Sequence, residues 1–263
     1  MSFDPDLLES CKIYCNFVAS KAEVVELVDI HVSGACAFTG MRVRVSPSVQ
    51  TSQPSSWEVF YFDNFAPMQA TKTILRQQFL EQRRRLPESN VNQLSQQIGF
   101  KLVQWLAVYE TQYLHCFLPI QRFHEINTVS IINQIVDKFP EITILVPKVN
   151  SLTNQLDCYQ WTPNTTLVAS KWGVPEPTDA ELFTNFDLID CVITPLLAYD
   201  QQGYRVGYGK GFYDRFFAQC RADVLKVGVS FFDPVAAITD IEHHDVRLDC
   251  CVTPHKIWEF SDK

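Results

Sequence analysis

The chain has 263 residues, 46% hydrophobic and 20% charged, an ordinary globular composition that excludes wholesale disorder. No apolar run approaches the ~20 residues that span a bilayer, and the stretch from Met1 to Asp6 lacks the basic start and apolar core of a secretory leader. A cytoplasmic location without membrane attachment is therefore expected. The net charge of −8, from 22 basic and 30 acidic residues, argues against a nucleic-acid partner but leaves room for a small anionic ligand held by a few converging cations. The nine cysteines contain no CxxC pair, so reduced, buried thiols are expected rather than a zinc knuckle.

In chain order, residues 1–67 differ from the rest. They mix short apolar patches with Ser, Gly, Pro and Thr, and Ser46 to Ser56 is a polar, turn-rich stretch of linker character. Ala22 to Ile30 suits a strand or a short helix. The run Ala22 to Asp29, then Gly34-Ala35-Cys36 and Val43-Arg44-Val45-Ser46-Pro47, resembles the conceptual translation of a transfer-RNA gene. On that reading residues 1–67 are upstream sequence; the alternative is an accessory segment that packs on the main domain or stays disordered, and the functional domain runs from Met68 to Lys263.

From Met68 the pattern is regular. Thr71 to Leu86 is rich in helix formers, without Gly or Pro, and Pro87 ends it. Ser89 or Asn90 caps a second helix, with Val91, Leu94, Ile98, Leu102 and Trp105 or Leu106 at helical spacing. A strand is predicted over Tyr113 to Leu118, stopped by Pro119, and a helix over Thr128 to Phe139. Ile142 to Val146 is a β-branched run of the kind buried on both faces of a sheet. Further strands are predicted at Leu156 to Trp161, Leu188 to Thr194, Leu225 to Ser230 and Val246 to Val252, with a helix from Phe212 to Arg221. This alternation points to an α/β fold: a three-layer domain with a mostly parallel central sheet flanked by helices. Ligands of such sheets bind outside the carboxyl ends of the strands.

The strongest local signal is the stretch Asp200 to Arg215, in which Gly207, Gly209 and Gly211 alternate. Their amides are free to approach an anion closely, ahead of a predicted helix start, and Arg205 and Lys210 add full charges. The combination suits a polyphosphate, although the spacing is neither a Walker A loop nor GxGxxG. The adjacent His243 and His244 point apart in extended chain and are assigned no metal. His115, on a predicted strand, reads as a core histidine.

This stretch resembles the signature of the 5-formyltetrahydrofolate cyclo-ligase family. Other segments resemble that family in order: Lys72-Thr73-Ile74-Leu75-Arg76, Leu118-Pro119-Ile120 with Glu125 to Thr128, Val146-Pro147-Lys148, Trp172 to Pro177, and His244 to Asp249. The resemblance covers about residues 70–255. It departs in a longer spacing from Pro119 to Glu125 and in Phe212, where a Tyr is common.

The resemblance implies an ATP- and Mg²⁺-dependent conversion of 5-formyltetrahydrofolate to 5,10-methenyltetrahydrofolate, with ADP and phosphate released through a phosphorylated formyl intermediate. It implies catalytic roles for Lys210 and Arg205. It implies ATP contacts from Lys72, Thr73, Ile74, Leu75 and Arg76 and from the loop Arg205, Val206, Gly207, Tyr208, Gly209, Lys210, Gly211, Phe212 and Tyr213. Phe117, Glu125, Trp172, Tyr208 and Phe212 would meet the folate, and Asp214 and Asp245 would bind Mg²⁺. A monomer or weak homodimer is expected. Without the resemblance two alternatives stay open: an ATP-independent enzyme acting on phosphorylated sugars, and an ATP-sensing or RNA-associated regulator suggested by Arg83-Arg84-Arg85.

Overall fold

The computed structural model describes residues 70–170 and 173–260, and the backbone alone of 12–16 and 29–33. The chain forms two units, Met1–Asn64 and Phe65–Lys263. In the first, β1 (Lys12–Asn16) pairs antiparallel with β2 (Asp29–Ser33), Lys12 opposite Ser33. Residues 22–28, the linker-like stretch 46–56 and Met68 lie outside the described residues.

The second unit begins with α1 (Lys72–Arg84), capped by the Thr71 hydroxyl, which accepts from the Ile74 amide at 3.4 Å. α2 (Glu88–Leu106) starts directly after Pro87, earlier than a cap at Ser89 or Asn90 would allow. The reason is local: Pro87 has its φ preset, and its carbonyl accepts from the Asn90 and Val91 amides. Then follow β3 (Tyr113–Cys116), a 3₁₀ turn (Gln121–Phe123) and α3 (Thr128–Lys138). Next come β4 (Thr143–Asn150), β5 (Gln155–Trp161), β6 (Leu167–Ala169), β7 (Pro175–Pro177) and β8 (Leu182–Phe183). The chain continues through β9 (Cys191–Thr194), β10 (Ala198–Tyr199), β11 (Arg205–Val206), α4 (Phe212–Phe217), β12 (Leu225–Val229), β13 (Cys250–Val252) and β14 (Ile257–Glu259).

The main sheet has the order β14-β13-β12-β9-β3-β4-β5-β8. Its five middle strands, from β13 to β4, are parallel, and the antiparallel strands are confined to the two edges. Alternate strand residues feed two cores. Leu114, Cys116, Ile144, Val146, Cys191 and Ile193 meet α2 and α3 through Ile98, Leu102, Ile131 and Ile135. Leu145 and Val192 point the other way and meet Phe216 and Phe217 of α4. Burial on both faces is what makes these strands read as continuous apolar runs. Among the described residues no helix is long and apolar enough to cross a membrane.

Three predicted elements are trimmed by three or more residues at one end, each for a local reason. Asp190 accepts from the Gln112 and Tyr113 amides at 2.7 and 2.9 Å, so β9 starts only at Cys191. α4 ends at Phe217 because Gln219 and Cys220 donate three residues back, a 3₁₀-type tightening. Residues 246–249 do not join β13 because both backbone groups of Val246 are taken by Asp214 and Arg205.

Loop placement depends on one buried carboxylate. Asp200 is fully buried and accepts from the amides of Gln202, Tyr204 and Ile238 at 3.0, 2.9 and 3.1 Å. This closes the β10–β11 hairpin. Gly203 turns it at φ +89°, where an added Cβ would lie 2.8 Å from the Phe260 ring.

His115 is fully buried, edge-on to Tyr213, and among the described residues neither ring nitrogen has a hydrogen-bond partner. Burial lowers its pKa to about 3, so the folded protein holds it neutral. The unfolded chain titrates it near 6.5, and stability present above that pH is lost progressively as the pH falls toward 3. His115→Leu is therefore expected to cut the loss of unfolding free energy between pH 7 and pH 5 by roughly 2 kcal/mol. Urea denaturation at the two pH values measures it, and an unchanged pH difference would refute the assignment.

Candidate active site

The glycine loop runs from β11 to the start of α4 and is crossed by α1. The Arg76 guanidinium donates from Nε to the Gly207 carbonyl at 2.9 Å. Gly209 has φ +83°, and a Cβ there would come within 3.3 Å of the Arg76 guanidinium. Above Gly207 a Cβ would meet nothing within 4 Å. The loop is thus lined by a cation on one side and open on the other. Lys210, at its tip, is exposed; its carbonyl accepts from Arg215 Nη1 at 3.0 Å, while its ammonium makes no hydrogen bond or ion pair among the described residues.

Two more cations are paired with carboxylates. Arg205 donates to Asp214 Oδ1 at 2.7 Å and to the Val246 carbonyl, and the Val246 amide returns a bond to Asp214 at 3.2 Å. Burial lowers the Arg205 pKa, and the Asp214 charge opposes that shift. Lys72 Nζ forms an ion pair with Asp245, and its amide donates to Asp240 at 2.6 Å. Burial alone would raise Asp245. The bond from the Glu242 amide and the Lys72 ammonium outweigh it, so the carboxyl is held below its usual range. A cleft of about 580 Å³ opens beside Gly211, Asp214, Asp245 and Val246.

Tyr208 sits within the glycine loop and reaches the other half of the site. Its hydroxyl donates to Glu125 Oε1 and accepts from Arg83 Nη2. Glu125 Oε2 accepts from the Ile120 amide at 2.6 Å. The Tyr208 ring stacks on Phe123 at 5.6 Å between centroids. Glu125 is 5% exposed, and burial raises its pKa against the opposing Arg83 charge and the Tyr208 bond.

Several expected contact residues lie beneath the site. Leu75 and Val206 are buried together in one core cluster, and the Leu75 amide and the Val206 carbonyl are committed to backbone bonds. Their side chains support the loop rather than face a ligand. Phe117 is likewise packed in the main core, with its carbonyl accepting from the Thr128 hydroxyl. Tyr213 packs between the two cores with its hydroxyl buried. Thr73 and Ile74 are exposed on α1, and Phe212 stacks under Arg215 at 5.3 Å. Trp172 lies outside the described residues. His244 faces Glu242 at 3.1 Å.

Arg83 is the residue whose place beside Glu125 composition concealed. It looks like part of a solvated basic run, yet it is 5% exposed. The available signal was its spacing: Leu75, Phe79 and Arg83 are the buried residues of α1, four apart on one helix face.

The donor set fits a nucleotide polyphosphate: an open glycine loop with an unpaired lysine and three further cations around it. No group of three or more His, Cys, Asp or Glu residues able to hold a metal exists among the described residues. Two separate carboxylates beside a cleft nonetheless fit Mg²⁺, which commonly takes one or two carboxylates and completes its shell with water and substrate phosphates.

Residues 68–254 match the model of the 5-formyltetrahydrofolate cyclo-ligase family. The chain is similar to the 5-formyltetrahydrofolate cyclo-ligase of Mycoplasma pneumoniae, with 30% identity over 69% of this chain and 97% of that one. It is similar to the Escherichia coli K12 protein of the same name, with 27% identity over 68% of this chain and 98% of that one. The probable cyclo-ligase of Schizosaccharomyces pombe is 30% identical over 43% of this chain, a match spanning 62% of that relative. The solution structure of an Aquifex aeolicus 5,10-methenyltetrahydrofolate synthetase superposes with a TM-score of 0.61 at 26% identity, covering 73% of this chain and 94% of the other. With the glycine loop, its cations and Glu125 all inside the matched span, the chain belongs to the 5-formyltetrahydrofolate cyclo-ligase family of enzymes.

Proposed function

We propose that this chain converts 5-formyltetrahydrofolate to 5,10-methenyltetrahydrofolate at the expense of ATP, in a Mg²⁺-dependent reaction. One observation carries the reading. A glycine loop open above Gly207 and surrounded by Arg76, Lys72, Arg205 and Lys210 is joined, through Tyr208, to a buried carboxylate at Glu125. A phosphate-binding half and a half suited to N–H donors of a heterocycle thus share one loop.

The formyl oxygen is a poor leaving group until it is phosphorylated. In the proposed reaction it attacks the γ-phosphorus of ATP, and the bond from that phosphorus to the β-phosphate oxygen breaks, releasing ADP. N10 then attacks the formyl carbon and loses its proton. The carbon–oxygen bond breaks and phosphate leaves with the formyl oxygen. Such a transfer needs positioning and charge neutralisation more than covalent catalysis.

Lys210 and Arg76 would hold the phosphates, and the Lys210 ammonium, unpaired among the described residues, would follow the charge that develops on the transferred group. Arg205, fixed by Asp214 and Val246, would supply a rigid positive charge beneath the loop. Asp214 and Asp245 would hold Mg²⁺, which supplies further neutralisation of the phosphates when bound. Glu125 would accept from the N–H donors of the pterin, with Tyr208 and Phe212 beside the rings.

The test is optical. Protein, Mg²⁺, ATP and 5-formyltetrahydrofolate together are expected to generate the methenyl chromophore, and omission of ATP to abolish it. Chromophore formation independent of ATP, or none under any condition, would overturn the reading.

A further inference from the structure

Arg83 does not behave like its neighbours. Arg84 and Arg85 are exposed, and the Arg85 side chain makes a surface pair with Glu81. The Arg83 side chain is 6% exposed and lies 3.8 Å from a Glu125 side chain that is 3% exposed. It donates from Nε to the Phe123 carbonyl at 2.8 Å, from Nη1 to the Leu196 carbonyl at 3.3 Å, and from Nη2 to the Tyr208 hydroxyl. These three acceptors belong to the segment leading into Glu125, the loop after β9 and the glycine loop. A buried guanidinium is costly to desolvate, and apolar side chains of similar volume commonly stabilise a core as well or better. Stability alone is therefore a weak reason for an arginine here.

The bonding order is informative. Tyr208 has one proton to donate, and it goes to Glu125 because Arg83 occupies the acceptor side of the hydroxyl. The hydroxyl thus passes the influence of the guanidinium to the carboxylate. Each Glu125 oxygen accepts one hydrogen bond in this arrangement, from Tyr208 and from the Ile120 amide, and a carboxylate oxygen has capacity for a second.

We propose that Arg83 is a positioning residue for the folate half of the site: through Tyr208 it holds the Glu125 carboxylate oriented and charge-balanced, leaving acceptor capacity for the N–H donors of the substrate. The inference rests on the folate reading above and adds a residue that acts without touching the substrate. The groups facing Glu125 are Arg83 from α1, Tyr208 from the glycine loop and, at longer range, Tyr213 from α4. Arg83 is the only cation among them, so its removal favours the protonated carboxyl at higher pH.

The experiment compares wild type with Arg83→Met, Arg83→Lys and Tyr208→Phe. It measures KM for 5-formyltetrahydrofolate and for ATP, kcat/KM from about pH 5 to pH 8, and the melting temperature. Arg83→Met is expected to raise the folate KM by about tenfold or more. The ATP KM should stay within about twofold, and the acid limb of kcat/KM should move up by about one pH unit. Tyr208→Phe should give a smaller change in the same sense. Arg83→Lys, which keeps the charge but loses the planar fork, should restore most of the pH limb and less of the KM. Should Arg83→Met not fold, the other two variants decide, since each must raise the folate KM selectively. Variants that lower only the melting temperature, or that raise both KM values equally, overturn the inference. A wild-type protein that neither binds folate nor forms the chromophore removes the folate reading as well, whereas an active wild type with unmoved variants removes this inference alone.

Discussion

Lys210→Ala is expected to lower kcat by about two to three orders of magnitude with little change in melting temperature. The Lys210 side chain is exposed and has no partner to orphan among the described residues, and its carbonyl, which accepts from Arg215, is kept in alanine, so the change should cost the fold no more than about 0.5 kcal/mol. A preorganised donor aimed at charge developing in a transition state is worth about 3–4 kcal/mol. The two magnitudes separate the roles: a lysine that only solubilises the loop would leave both readouts alone. Steady-state kinetics of methenyl formation and a thermal melt measure them, and a variant with wild-type turnover would remove Lys210 from the chemistry.

Asp214→Asn should act on both fold and metal. Arg205 is 7% exposed at its side chain, and Asp214 is its ion-pair partner at 2.7 Å. Removing one member of such a pair leaves a buried charge uncompensated, a loss of roughly 3 kcal/mol, or a fall in melting temperature of about 6–12 °C for a unit of this size. Pairing Asp214→Asn with Arg205→Met should recover part of that stability, because the uncompensated charge is then gone. If Asp214 also holds Mg²⁺, the single variant will need more metal for half-maximal activity. A double variant no more stable than Asp214→Asn alone would contradict the electrostatic account. An unchanged metal titration would take Asp214 out of the ligand set.

Most of the secondary structure of residues 70–260 was legible because burial leaves a periodic trace. Val91, Ile98 and Leu102 mark a helix face by spacing, and Ile144, Leu145 and Val146 mark a strand covered on both sides by the absence of alternation. The short edge elements were not legible. β8, β10, β11 and β14 have two or three residues each, too few for any local period to announce them. The glycine loop was visible as composition, and Arg205 and Lys210 as its neighbours in sequence, whereas Lys72 and Arg76 entered only through the family resemblance, Arg76 lying 131 positions from Gly207.

The amino-acid sequence by itself determined the layered α/β plan and the positions of Gly207 to Gly211 and Lys210, while Glu125 entered only through the family resemblance. Period and glycine content depend on nearest neighbours, and these survive in one dimension. Tertiary structure alone decided which charges are spent inside the protein and which remain for a ligand. Arg205 goes to Asp214, Lys72 to Asp245 and Arg83 toward Glu125 through Tyr208, while Lys210 stays unpaired among the described residues. These pairings join residues between 9 and 173 positions apart, and Coulomb energy depends on separation in space and on burial, neither of which sequence distance encodes.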